Sequence, residues 1–121
     1  MDQFKLAIVG PKEFNDYEKL KAVCEQVLSN KFQTHEVVIL YGSYGPFDEL
    51  VTKYSSEKGL FSMYFAADWK KEGNTAYYLR ANSEVDTADA ILIFDDGLSK
   101  GINIFKIVSQ KKGIPTRILN I

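Results

Sequence analysis

The chain has 121 residues, 45% of them hydrophobic, with fifteen lysines and arginines against sixteen aspartates and glutamates. That size and composition suit one domain, residues 1–121, and a net charge near zero removes any whole-protein pull toward nucleic acid or anionic lipid. No apolar run approaches the roughly 20 residues that span a bilayer, and no signal-peptide core opens the chain, so a cytoplasmic protein without membrane partners is expected.

The first strand-like run is Phe4–Val9 (FKLAIV), short and rich in apolar and β-branched residues. Tyr17, Leu20, Val23, Cys24, Val27 and Leu28 then recur at helical spacing, with Asn15 or Asp16 as the cap; the single cysteine reads as a small buried hydrophobe. A second strand, Val37–Tyr41, leads to a helix over Asp48–Lys58 that stops at Gly59. Leu60–Phe65 is the third strand and Asn74–Val85 the third helix. Ala90–Phe94 (AILIF) is the fourth strand, followed by a helix whose inner face is read as Ile104, Ile107 and Val108 and whose end is marked by Lys111, Lys112 and Gly113. Thr116–Asn120 closes the chain as a fifth strand.

The first, second and fourth runs are too uniformly apolar for a strand with one wet face, so they are expected at the centre of a sheet covered on both sides. Strict alternation of strand and helix predicts an α/β fold: a single-domain Rossmann-like three-layer sandwich on a mostly parallel five-stranded sheet.

In such a sheet all strand-to-helix loops leave along one edge, where ligands bind. The loops are GPKEF (Gly10–Phe14), GSYGPFD (Gly42–Asp48), AADWKKEGN (Ala66–Asn74) and DDGLSKG (Asp95–Gly101), and they carry most of the glycines and the only tryptophan. Glycine lets backbone N–H groups come close to a phosphate, which a helix N-terminus also favours, and GSYGPFD and DDGLSKG fit that use. The chain has neither GxGxxG after the first strand nor GxxxxGK[ST], which disfavours a conventional dinucleotide or P-loop site.

Together, Gly10, GSYGPFD, the string from Asp68 to Asn82 (ADWK, then Gly, Ala and R.N) and DGLSKG resemble the SLOG superfamily, most nearly its small stand-alone YspA/YpsA-like proteins. The resemblance runs from about Lys5 to Arg117. It implies a Rossmann-like fold that binds a nucleotide or nucleotide derivative of the ADP-ribose or NAD-derived signal type. The superfamily includes cytokinin-activating phosphoribohydrolases, sensors of NAD-derived signals and a DNA-processing protein. Carried over by position, the implied ligand contacts are Gly10, Lys12, Gly42, Ser43, Gly45, Asp48, Asp68, Trp69, Arg80, Gly97, Ser99 and Gly101. Lys12 stands where the pattern prefers arginine, Tyr44, Pro46 and Phe47 replace small residues, Ile102 replaces threonine, and Phe105 stands where the phosphoribohydrolases carry an essential glutamate.

Several of these residues also have structural readings. Asp48 either reads a ribose hydroxyl or caps its helix, and Asp95 and Asp96 either hold Mg²⁺ or cap the following turn, so no metal site is assigned. Arg80 either reaches a phosphate or pairs on the surface with Glu84, and Trp69 either stacks on a base or packs. His35, the only histidine, is expected exposed on the opposite edge, which leaves Ser43 and Ser99 without a general base and suits them to phosphate hydrogen bonding.

The expected function is therefore sensing or sequestration of a nucleotide-type ligand without catalysis, with no cofactor required beyond a bound nucleotide. One alternative is a hydrolase of N-glycosidic or phosphate bonds using Asp48, Asp95 or Asp96; another is a nucleic-acid or protein-binding module, for which nucleic acid is disfavoured by charge. Tyr54, Phe61, Tyr77 and Tyr78 exceed the needs of a small core and point to a homo-oligomer.

Overall fold

The structure is a computed structural model that describes residues 2–42, 45–67 and 75–121. Within these, five strands and four helices alternate: β1 (Gln3–Val9), α1 (Tyr17–Leu28), β2 (Glu36–Tyr41), α2 (Pro46–Glu57), β3 (Phe61–Tyr64), α3 (Ala76–Thr87), β4 (Ala90–Asp95), α4 (Lys100–Lys112) and β5 (Thr116–Asn120). Every strand pairing is parallel and the order is β3-β2-β1-β4-β5. The three apolar runs expected at the centre are there: β1 sits between β2 and β4, with Ala7 opposite Leu40 on one side and Ile91 on the other.

This order has a reversal in it. The chain moves outward from β1 through β2 to β3, then returns across the sheet to β4 on the far side of β1 and continues to β5. Crossovers of one hand travelling in opposite directions place their helices on opposite faces. Accordingly, α1 and α2 cover one face through Leu20, Cys24, Leu28, Phe47, Val51 and Tyr54. The helices α3 and α4 cover the other through Ala81, Val85, Ile102, Phe105 and Val108.

Local chemistry sets the helix ends. The Asp16 carboxylate accepts the Lys19 N–H at 3.1 Å and starts α1. Gly113, at φ 68°, ends α4 by turning its N–H back to the Ser109 and Gln110 carbonyls, beside Lys111 and Lys112.

Four expectations are corrected. The helix after β2 begins at Pro46 with Gly45 as its cap, so Asp48 lies inside the first turn and is not the cap. The inner face of α4 is Ile102, Phe105 and Val108, while Ile107 is 51% exposed. Tyr54 is fully buried in the core and is no surface aromatic, whereas Phe61, Tyr77 and Tyr78 are exposed. His35 does precede β2 on the opposite edge, but it is half-buried with its ring edge-on to Phe4.

Candidate anion-binding site

Because β1 and β4 are neighbours whose following loops diverge to opposite faces, a crevice opens between those loops at the carboxyl edge. The cleft found there has a volume of about 620 Å³. Val9 and Gly10 form its floor, Pro11 and Lys12 one rim, Tyr77 and Arg80 of α3 one wall, and Ser99 to Ile102 with Phe105 of α4 the other.

The α4 wall is the N-terminus of a 13-residue helix, and it is unusually bare. Ser99 occupies the cap position without making the side-chain cap bond. Its hydroxyl instead donates to Asp96 at 2.8 Å, and the Asp96 carboxylate also accepts the Leu98 and Ser99 N–H groups at 3.0 and 2.9 Å. Those N–H bonds hold the Asp96 carboxyl below its ordinary range. Asp95 is pinned likewise, accepting from Lys106 Nζ and the Gly97 N–H, both at 2.8 Å, and its carboxyl too is lowered, chiefly by Lys106. The two acids therefore lock the loop to itself. They leave the first N–H groups of α4 pointing along the helix axis with its positive dipole end behind them.

Gly101 sits in that first turn. It has no positive φ, and a Cβ added to it would meet nothing within 4 Å. Neither backbone conformation nor packing requires glycine here, so the space beside its backbone is left open to the cleft. Gly42 is the contrasting case: a Cβ there would lie 2.2 Å from the Phe65 carbonyl oxygen, so packing alone requires glycine.

Arg80 is the central cation. It is 6% exposed, its guanidinium donates to the Gly42 carbonyl, and its Cζ lies 5.4 Å from the ring centroids of both Tyr77 and Phe105. Two π faces and a backbone carbonyl orient a planar fork of donors, the geometry that suits phosphate or carboxylate. The alternative of a surface salt bridge with Glu84 is overturned, because both side chains are buried.

Of the residues expected to bind ligand, the structure gathers Gly10, Lys12, Arg80, Ser99 and Gly101 around the cleft. Gly42 joins through its carbonyl bond to Arg80. Gly45, half-buried Asp48 and Gly97 stand outside the cleft lining; Gly45 and Gly97 serve as positive-φ turn residues. Ser43, Asp68 and Trp69 lie outside the described residues. Sequence reasoning missed Tyr77, Lys100 and Phe105 as cleft residues. The first of these was signalled by its i, i−3 spacing from Arg80, and the second by its place at the start of α4. Among the described residues no group of three or more His, Cys, Asp or Glu side chains is placed to hold a metal, and no helix is long and apolar enough to cross a membrane.

A five-stranded parallel sheet with helices on both faces and a cleft at the reversal of strand order defines a Rossmann-like α/β protein. The X-ray structure of TM1055, a Northeast Structural Genomics Consortium target, shares this fold with a TM-score of 0.65 over 93% of this chain and 72% of its own, at 19% sequence identity. No family model matches the chain, and no curated protein matches it.

Proposed function

We propose that the protein binds a nucleotide or nucleotide derivative, of the ADP-ribose or NAD-derived type, and acts as a sensor or sequestering protein and not as a catalyst. The observation that carries this reading is the uncapped N-terminus of α4 with Gly101 open beside it, facing buried Arg80 across the cleft. A phosphate would accept from the first α4 N–H groups, Arg80, Lys12 and Lys100 would meet its charge, and Tyr77 would offer a ring face to a base or ribose. The resemblance of the four edge motifs to SLOG proteins, and to their small stand-alone branch in particular, supports the same ligand class. Engagement of Asp95 and Asp96 in the loop's own hydrogen bonds argues against their service as acid or base, which weakens the hydrolase alternative.

Association between copies belongs to this reading as well, since the edge strand β3 leaves Phe61 70% exposed alongside Met63 and Tyr64. Thermal denaturation in the presence of ADP-ribose, AMP, NAD and inorganic phosphate tests the ligand class. A ligand at a hundredfold excess over its dissociation constant stabilises by about 2.7 kcal/mol, and Arg80→Met should remove that gain. Failure of the whole panel to raise the melting temperature of the wild type would overturn the reading.

A further inference from the structure

The two edges of the sheet are built differently. Among the described residues β3 pairs with β2 alone, and its sequence, FSMY, holds neither a charge nor a proline. Edge strands are ordinarily guarded by one or the other, because an open edge recruits a further strand. The opposite edge, β5, is guarded: Pro115 precedes it, and Arg117 lies on it with its guanidinium donating to Gln26 at 2.8 Å.

Pairing with β2 fixes which way each group on β3 points. Phe61 lies opposite Val38 and Met63 opposite Leu40, which puts both side chains on the sheet face that α3 and α4 cover. The helices do not reach over them: Phe61 is 70% and Met63 46% exposed, and Leu79 of α3 is 44% exposed. Between α3 and the end of β3 runs a groove of about 260 Å³ whose lining includes Phe65, Ala76, Leu79 and Ser83. Backbone groups alternate as well. The Phe65 N–H donates to the Tyr41 carbonyl at 2.8 Å, so the amides of Phe61 and Met63 face β2 and that of Ser62 faces outward.

We propose that a second copy of this chain docks here, β3 antiparallel to β3 about a two-fold axis at Ser62, so that the two sheets run on as one. This rests on the association between copies in the reading above and gives it a surface, a symmetry and a register. A two-fold axis normal to the sheet keeps each face on its own side, so it must pass between a residue and its own mate. Ser62 has its N–H and carbonyl turned outward, and it exchanges both bonds with Ser62 of the partner subunit. That register sets Phe61 opposite the partner's Met63, and Met63 opposite the partner's Phe61, as the closer, non-hydrogen-bonded kind of pair with sulfur against ring. The partner's Phe61 then lies one diagonal step from Phe65, at the mouth of the groove. Each contact occurs twice, as an isologous interface requires. A two-fold axis also brings like charges together, and FSMY has none to repel. Phe61, Met63, Tyr64 and Leu79 expose about 400 Å² per copy at their observed fractions; both copies together, with the strand backbone, bury about 1,000 Å², the lower bound for a specific interface.

The test is sedimentation velocity of the wild type from roughly 1 to 100 µM, where a dimer is expected to form. Phe61→Lys should raise its dissociation constant at least about tenfold, and Ile118→Lys on the guarded edge should leave it unchanged. Oxidised Ser62→Cys should run as a covalent dimer, because mates across the axis are about 5.5 Å apart at Cα, within disulfide reach. Met63→Cys, whose own mates stand about 8 Å apart, should not, and Cys24 is buried and does not compete. A dimer that Phe61→Lys leaves intact overturns this interface while association itself stands, as does a Met63→Cys crosslink stronger than that of Ser62→Cys. A wild type that stays monomeric throughout overturns the interface and the association together, and the ligand reading keeps its own thermal test. Should Phe61→Lys fail to fold, the two cysteine variants decide alone.

Discussion

The two helical layers cover opposite faces of one sheet, yet they bury different chemistry. Beneath α1 and α2 the core is aromatic: Phe14, Phe47 and Phe94 meet with ring centroids 5.4 to 6.0 Å apart, above fully buried Tyr54. No charged side chain of α1 or α2 is buried among the described residues. Beneath α3 and α4 the apolar residues are smaller, chiefly alanine, valine and isoleucine, and among them lie Arg80 and Glu84. Burying ionisable groups lowers stability relative to an apolar core of the same shape. A layer that retains them while its opposite number carries none is organised around something besides packing. The aromatic layer holds the sheet; the other aims a cation at the cleft.

The largest effect that would sharpen this contrast comes from the aromatic side. Phe94→Ala removes a ring that touches both Phe14 and Phe47 and should cost about 3–5 kcal/mol in urea unfolding. A cost below about 1 kcal/mol would mean that this layer is not the main source of stability, and the division of labour would collapse.

An effect of distinct form, spread over several pH units, is expected from Glu84. Its folded value, about 8, lies above the ordinary 4.5, so between those two pH values the folded chain holds a proton that the unfolded chain releases. Stability attributable to Glu84 is therefore fully present below pH 4.5 and is lost as pH rises toward 8, at no more than about 1.4 kcal/mol per pH unit. Melting curves of wild type and Glu84→Gln across that range should converge at the acid end and diverge at the alkaline end, with the wild type falling further. Parallel curves would show that the buried carboxyl is ionised throughout, and the contrast between layers would lose its electrostatic half.

How far this arrangement could be read from the sequence depended on which forces were local. The central strands were legible because AILIF and its equivalents show no polar alternation, the mark of a strand covered on both faces. Asp16 and Gly113 were legible because capping is decided within a few residues. Depth on α3 was not. Arg80 and Glu84 at i and i+4 have the spacing of an ordinary surface ion pair, and their burial, with Phe105 of the next helix over the Arg80 guanidinium, is decided by neighbours remote in the chain. The face of α4 was ambiguous for a related reason. INIFKIV has apolar residues on more than one stripe, and the sheet takes Ile102, Phe105 and Val108 while leaving Ile107 in solvent. Glycine spacing located the carboxyl edge but did not tell the packing glycine Gly42 from the open one, Gly101, since that distinction belongs to neighbours remote in the chain.

The smallest predicted change in stability is also the one that separates packing from ligand binding within a single residue. Gly101 is helical, a Cβ there meets no atom within 4 Å, and no unusual φ forbids one. Alanine is the better helix former, so Gly101→Ala should raise unfolding stability by up to about 1 kcal/mol. The same methyl group would stand beside the first N–H groups of α4, where a phosphate bound as proposed would come closest. The variant should thus melt slightly higher than wild type alone, and its melting temperature should no longer respond to ADP-ribose. A glycine kept for structure would show the reverse, a less stable protein with its ligand response intact, and that result would return the cleft to the status of an ordinary groove between two loops.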